Sequence, residues 1–334
     1  MKCYNYAETT YLCDELISIL NEIRKDFNFI PHKYIQKKSE LLNDYMRKCA
    51  LDSVVVAVSG GIDSAVVLAL ATVASHQPCS PIKKIVAVTL PCMDSTGVTN
   101  QKQASERARD LCKSLNIDCV DINIKDINNA IRDKVESALP DLTTDNWAIG
   151  QLVPYSRTPV LYYITSMLSA SGYKGILLGT TNLSEGGYLG YVGKASDAMV
   201  DVQIIADIFK SEVYSIAREL KIPSSIINVI PSGDMYDGRN DEMVFGASYD
   251  FVELYSYCLG ARKNRLKRFS ELSLNNLSTV AKSQMDKFRG NVEHLHSYNR
   301  HKYLSGFPSV FLNLWDIEIS DGWHIPAWNS NNFS

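Results

Sequence analysis

The chain reads as an α/β protein built on a parallel sheet with helices on both faces, and three observations predict this. The apolar, β-branched run Val54–Val58 is closed by Ser59-Gly60-Gly61 and followed by the apolar run Ala65–Leu70, the pattern of a buried strand, a tight turn and a helix. Strand-like and helix-like segments then alternate along the chain, as parallel strands with helical crossovers require. Finally, 334 residues that are 46% hydrophobic supply enough apolar surface to cover a sheet on both sides.

Taken in order, the first 50 residues read as helical, with Leu12, Leu16, Ile19 and Leu20 forming one apolar stripe and Tyr34 to Met46 a second. Strands are expected at Ser53–Val58, Lys84–Leu90, Ile117–Ile122 and Gly175–Gly179. Helices are expected at Asp63–Ser75, from about Asn100 to Leu115, over Val160–Ala170 and over Phe209–Leu220. The second of these repeats Ala104, Ala108, Leu111 and Leu115 along one face, and the last repeats Phe209, Val213, Ile216, Ala217 and Leu220. No internal repeat or low-complexity segment interrupts the pattern.

Composition narrows the function classes. A net charge of −3 argues against a general nucleic-acid binder. No run approaches a membrane-spanning length, and no signal-like apolar segment follows Met1-Lys2-Cys3. Eight cysteines without a Cys-x-x-Cys pair suit reduced thiols in a cytoplasmic protein. One basic run, Arg262-Lys263-Asn264-Arg265-Leu266-Lys267-Arg268, is either a solvated face or a phosphate-facing one. His294, His296 and His301 lack the cysteine or carboxylate partners of a metal site.

Ligands of a parallel sheet gather beyond the carboxyl ends of its strands, which is where the chemistry-bearing residues fall. In Ser59 to Ser64, two glycines let successive N–H groups converge on one anion, and the following helix adds its positive end. The hydroxyls of Ser59 and Ser64 are further donors to phosphate oxygens. Asp63 in such a loop repels a phosphate unless a divalent cation lies between them, so the loop predicts pyrophosphate held with Mg²⁺. It lacks the Gly-Lys-Ser/Thr ending of a Walker A motif and the third glycine of a dinucleotide fingerprint. Past the fourth strand, Gly179-Thr180 leads to Ser184-Glu185. Glu185 is either a second carboxylate for the same cation or, with Ser184, simply the start of a helix.

Ser59 to Ser64 resembles the SGGxDS loop of the pyrophosphatase-loop ATP enzymes, which release pyrophosphate and leave AMP on the acceptor. Gly179–Glu185 resembles the GTSNLSE element of the NAD synthetases, and further elements follow in family order. Lys194 falls at the lysine of the FTK element, with Asp201 and Lys210 in register behind it. Ser232, in Pro231-Ser232-Gly233-Asp234, stands where the family has threonine. Asp241-Glu242 with Ser248-Tyr249-Asp250 resembles its DE…YD helix pair, and Arg300-His301-Lys302 its C-terminal His-Lys element. Arg157 fits the second arginine of the ARxR helix. The chain is thus similar to ammonia-dependent NAD synthetases over about residues 30–305.

The resemblance implies a Rossmann-like, adenine nucleotide alpha-hydrolase-like fold: a helical segment at 1–50, an ATP-pyrophosphatase domain at 51–305 and an aromatic-rich tail at 306–334. That tail, with Phe307, Phe311, Trp315, Trp323 and Trp328, covers either the core or a partner subunit. The implied reaction amidates nicotinic acid adenine dinucleotide with ammonia through an acyl-adenylate, giving NAD⁺, AMP and pyrophosphate without a protein nucleophile. By the same resemblance ATP is bound by Ala57, Val58, Ser59, Gly60, Gly61, Ile62, Asp63, Ser64, Thr180, Lys210 and Ser232. Asp63 and Glu185 hold Mg²⁺, and Asp63, Glu185 and Lys210 carry the catalytic electrostatics. Arg157, Lys194, Asp201, His301 and Lys302 touch the deamido dinucleotide. A homodimer is implied, with small-molecule substrates, no nucleic-acid or membrane partner, and ammonia taken up free or from a separate glutaminase.

Two segments depart from the family pattern. Gln151–Arg157 keeps only the last arginine of its helix element, and Lys194–Asp201 loses both glycines of the KYGDGGAD element. One extra residue separates Glu185 from Lys194. The departures sit where the nicotinate half is expected, so they leave ATP use intact. They keep open an adenylating ligase for another carboxylate, or a silent nucleotide binder.

Overall fold

Six parallel strands form the central sheet of the computed structural model, which describes residues 10–93, 100–233, 238–266, 276–303, 306 and 308–329. They are β1 (Ser53–Ala57), β2 (Lys84–Thr89), β3 (Cys119–Asp121), β4 (Gly175–Gly179), β5 (Val202–Gln203) and β6 (Val310–Phe311), in the order β3-β2-β1-β4-β5-β6. A short antiparallel pair follows, β7 (Ile317–Glu318) with β8 (His324–Ile325). The helices are α1 (Asp14–Phe27), α2 (Pro31–Lys48), α3 (Ile62–Ser75), α4 (Asn100–Ser114), α5 (Lys125–Ala138) and α6 (Asn146–Ala170). They continue with α7 (Leu183–Gly186), α8 (Lys210–Glu219), α9 (Ser224–Ile227), α10 (Asp241–Phe245), α11 (Tyr249–Cys258) and α12 (Thr279–Asn299). Asp234, Lys267, Arg268 and Phe307 lie outside the described residues.

The predicted fold class is the observed one. β1 pairs with β2 on one side and β4 on the other, Val54 standing opposite both Ile85 and Ile176. Because successive side chains of a strand point to opposite faces, β1 feeds two cores. Val54 and Val56 join a cluster with residues of α2, α3 and α8, while Val55 joins Leu161 and Leu168 of α6 on the other face. Burial on both faces is why β1 reads as an unbroken apolar run rather than an alternating one. A third cluster gathers Leu16, Leu20 and Ile23 of α1 with Phe251 of α11, Phe288 of α12 and Trp323 of the tail. Strand order runs from β1 outward through β2 and β3 one way and through β4, β5 and β6 the other. The switch point between β1 and β4 is therefore where a ligand crevice opens.

Several elements differ from the sequence reading. The helix expected from Val160 begins at Asn146 and continues through Pro154 and Pro159; the Asp145 side chain caps it by accepting from Ala148 N–H at 2.9 Å. β5 and β6 have no counterpart in the reading, since strands of two residues show no alternation, and neither has α5, whose Ile127, Ile131 and Val135 recur at helical spacing. The tail contributes β6 to the sheet, and Trp315 and Trp328 pack against the main core. The basic run begins with a residue that is neither solvated nor phosphate-facing: Arg262 is buried, paired with Glu212 at 2.7 Å and stacked over Phe27 and Phe209.

Candidate active site

The Ser59–Ser64 loop, expected to hold phosphate, lies at the carboxyl end of β1. Gly60 has φ +78, and a Cβ there would come within 2.2 Å of the Ala104 carbonyl oxygen on α4, so only glycine fits. Arg107 of α4 donates to the Gly60 carbonyl at 3.1 Å. Ser64 Oγ donates to the Gly61 carbonyl at 3.1 Å and accepts from Ser59 N–H at 3.2 Å, closing the turn on itself. α3 starts directly behind it, which aims its positive end and unpaired N–H groups into the loop. Alongside runs a cleft of about 80 Å³ lined by Ala57–Ser59, Val88–Leu90, Gln101, Ala104 and Arg157.

Three charged side chains meet beside this loop. Asp63 comes from the first turn of α3, Glu185 from α7 after β4, and Lys210 from the first turn of α8. Lys210 Nζ lies 2.6 Å from Asp63 Oδ2 and 2.8 Å from Glu185 Oε1. Asn182 donates to Asp63 Oδ1 at 2.8 Å and caps α7 by accepting from Glu185 N–H at 3.2 Å. Ser184 does not cap α7; its hydroxyl accepts the Lys210 N–H at 3.0 Å and ties α8 to α7.

Charge placement follows from burial. Burial pushes Asp63 above the ordinary carboxyl range in spite of Lys210, with the neighbouring Glu185 adding to the rise. It pushes Glu185 the same way, but the ammonium of Lys210 and hydrogen bonds from Lys210, Tyr249 and Asn182 more than reverse it and hold Glu185 low. Lys210 itself is held above its ordinary range, because the two carboxylates outweigh the cost of burying it. Tyr249 Oη is 2.8 Å from both Glu185 Oε1 and Asp241 Oδ2. A phenol carries one hydrogen, which these two carboxylates share. The Asp241 carboxyl is pushed up to about 6 by burial and then by the Glu185 charge.

The residues expected to bind ATP gather at the switch point: the loop from Ala57 to Ser64, Thr180 at the end of β4, and Lys210. Ser232 is exposed and connected indirectly, since Gly233 N–H donates to Asp241 Oδ1 at 2.9 Å and Asp241 meets Tyr249. The residues expected at the dinucleotide do not form one group. Arg157 donates to the Leu90 carbonyl at 3.1 Å and lines the cleft beside β1 and β2. The Asp201 carboxylate accepts from Leu177 N–H at 2.8 Å and pins β4 to β5. Lys302 donates to the Gly190 carbonyl at 3.2 Å, on the segment that leads to the exposed Lys194, while His301 is exposed on the turn before it. His296 is a packing residue, stacked on Tyr188 at 4.0 Å.

Asp63 and Glu185 present oxygens to one point, and the Lys210 ammonium marks it as a cation position. Hard carboxylate oxygens suit Mg²⁺, with phosphate oxygens and water completing the shell. Among the described residues no group of three or more His, Cys, Asp or Glu could hold a metal ion.

A family model described as NAD synthase matches residues 34–302. The chain belongs to the NAD synthase family. It is 30% identical over 255 residues to the NH₃-dependent NAD⁺ synthetase of Pyrococcus furiosus, an overlap of 76% of this chain and 89% of that one. Among solved structures it resembles an NMN synthetase from Francisella tularensis, with TM-score 0.63, 26% identity and coverage of 82% and 96%. The fold is shared with the NH₃-dependent NAD synthetase of Campylobacter jejuni, with TM-score 0.58, 22% identity and coverage of 82% and 96%. NAD synthase-family proteins are ligases that form a carbon–nitrogen bond and use ATP as a substrate, and this chain is a ligase of NAD biosynthesis. No helix among its described residues is long and apolar enough to cross a membrane.

Residue roles missed in the sequence were those made by packing. Asn182, Tyr249 and Asp241 orient the charged cluster, and Asp207 with Lys38 anchors the turn before Lys210. The Gly-Thr-Thr-Asn turn was the one local signal available, since asparagine is a strong helix cap.

Proposed function

We propose that this ligase amidates the nicotinate carboxyl of nicotinic acid adenine dinucleotide with ammonia, through an acyl-adenylate, releasing NAD⁺, AMP and pyrophosphate. The observation that carries the reading is the convergence of Asp63, Glu185 and Lys210 on the phosphate loop at the sheet's switch point. Loop N–H groups and the α3 terminus orient the phosphates, the Ser59 hydroxyl backs them, and Ser64 holds the turn closed. Mg²⁺ held by Asp63 and Glu185 would neutralise charge growing on the departing pyrophosphate. Asn182 and Tyr249 keep those carboxylates aimed. The acceptor carboxylate is itself the nucleophile toward the α-phosphorus, so the chain supplies position and field rather than a covalent partner. Lys194, His301 and Lys302 form the acceptor side of the site, completed in a homodimer, and the enzyme works in the cytoplasm.

A second reading takes nicotinic acid mononucleotide as acceptor. It is favoured by the Francisella neighbour's being an NMN synthetase and by the altered segments 151–157 and 194–201. The deciding assay mixes purified protein with ATP, Mg²⁺, ammonium and either acceptor, and measures AMP with NAD⁺ or NMN. Equal AMP and NAD⁺ is the expected result; equal AMP and NMN selects the mononucleotide, and AMP without an amide overturns both. Lys194→Ala is expected to raise KM for the acceptor about tenfold, the worth of one charge-assisted contact, with KM for ATP unchanged. A defect in ATP alone would contradict that placement.

A further inference from the structure

Lys210 bridges the two carboxylates that would hold a metal ion. Its ammonium takes Asp63 Oδ2 at 2.6 Å and Glu185 Oε1 at 2.8 Å, the short distances of charge-assisted hydrogen bonds. Asp63 Oδ1 is already bonded to Asn182, and Glu185 Oε1 also meets Tyr249, so three of the pair's four carboxylate oxygens are engaged by protein donors. The Lys210 side chain is 3% exposed, whereas those of Asp63 and Glu185 are 19% and 17% exposed. The lysine thus lies beneath the pair, and an incoming cation meets carboxylates whose charge is half cancelled.

Asp63, Glu185 and Lys210 together leave a single net negative charge, half of what the carboxylate pair alone would offer a divalent cation in a mostly buried site. The lysine thus weakens the hold on a cation until further anions enter and draw it off. The α8 backbone at Lys210 is fixed to Ser184, yet the four-carbon stem lets the ammonium move while the helix stays. Phosphates seated in the adjacent loop are the anions able to draw it off.

We infer that Lys210 is an internal counter-ion that keeps Asp63 and Glu185 closed to a divalent cation until nucleotide phosphates take its ammonium, so that metal and ATP load together. The inference rests on the assignment of Asp63 and Glu185 as the metal-holding pair. It assigns Lys210 two successive partners, the carboxylates in the empty enzyme and the phosphates in the loaded one.

The test uses Mn²⁺ as probe, with free Mn²⁺ followed by electron paramagnetic resonance in the absence of nucleotide. Wild type is expected to bind weakly, and Lys210→Met to bind one Mn²⁺ per chain at least about tenfold more tightly, the loss of one full counter-charge from the site. The gain should vanish in the Lys210→Met, Asp63→Asn double variant. A variant no tighter than wild type, or a gain that survives the double change, overturns the inference. Should Lys210→Met fail to fold, the wild-type melting temperature decides it: Mn²⁺ should raise it only when a non-hydrolysable ATP analogue is present. An equal rise with Mn²⁺ alone overturns the inference. The amide-forming assay separates this outcome from failure of the proposed reaction, because a wild type that makes the amide keeps the reaction even if Lys210 proves not to exclude metal.

Discussion

At the scale of single residues, the site is a chain of shared protons and charges running from Asp63 through Lys210, Glu185 and Tyr249 to Asp241. Asp63 and Glu185 were legible because each belongs to a local loop whose chemistry implies an anion or a cation. Tyr249 was visible only as part of a motif; its role comes from packing that brings α11 over α7. Asp241 yields a prediction with a definite sign. Its carboxyl, pushed up to about 6, faces Glu185 of α7, Lys210 of α8, Tyr249 of α11 and Tyr191. An ordinary aspartate in the unfolded chain titrates near ~4, so the folded chain binds this proton more tightly. The stability it contributes is complete below about pH 4 and is lost as pH rises through about 6, on the order of 3 kcal/mol. In metal-free protein, Asp241→Asn should flatten that loss; urea midpoints measured between pH 4 and 7 check it, and an unchanged slope would exclude Asp241 as its source.

At the scale of elements, the strand–loop–helix unit at Ser53 to Ser75 is the most predictable part of the chain, and β4 has the bounds expected for it. What the unit packs against was not readable. Gly60 sits under the backbone of α4, so the loop is shaped by a helix as well as by its own turn. Gly60→Ala is therefore expected to cost at least about 2 kcal/mol, since the new Cβ meets both a left-handed φ and a carbonyl oxygen. KM for ATP should rise as the loop moves. Urea unfolding and ATP kinetics check this, and wild-type values for both would mean that α4 can yield. Gly186 makes a similar point, because a Cβ there would come within 2.4 Å of the Trp323 ring of the tail. The tail thus buttresses the helix that carries Glu185.

At the scale of the whole molecule, one buried acid ties the distant parts together. Asp207 pairs with Lys38 of α2 at 2.9 Å, accepts from Tyr34 at 2.7 Å and from Leu314 N–H of the tail at 2.8 Å. Its carbonyl accepts from Arg262 at 2.6 Å and from Trp315 Nε1 at 3.0 Å. Asp207 precedes α8, so the N-terminal helices, the tail and the first residue of the basic run all brace the element that presents Lys210. Lys38→Met should leave Asp207 buried without a countercharge and destabilise the fold by about 3–5 kcal/mol. Chemical unfolding measures it, and a loss below about 1 kcal/mol, the worth of a surface pair, would mean that the network does not brace the fold.

The sequence by itself determined the parallel α/β class and the strand, glycine turn and helix at Ser53 to Ser75, because strand periodicity and glycine geometry act within a few residues. Tertiary structure alone decided that β6 completes the sheet and that Arg262 and Lys38 are buried. It also decided that the residues expected at the acceptor do not form one group, and that Lys210 lies between Asp63 and Glu185. Those outcomes depend on which distant surfaces meet, and on burial making an unpaired charge too costly to leave alone.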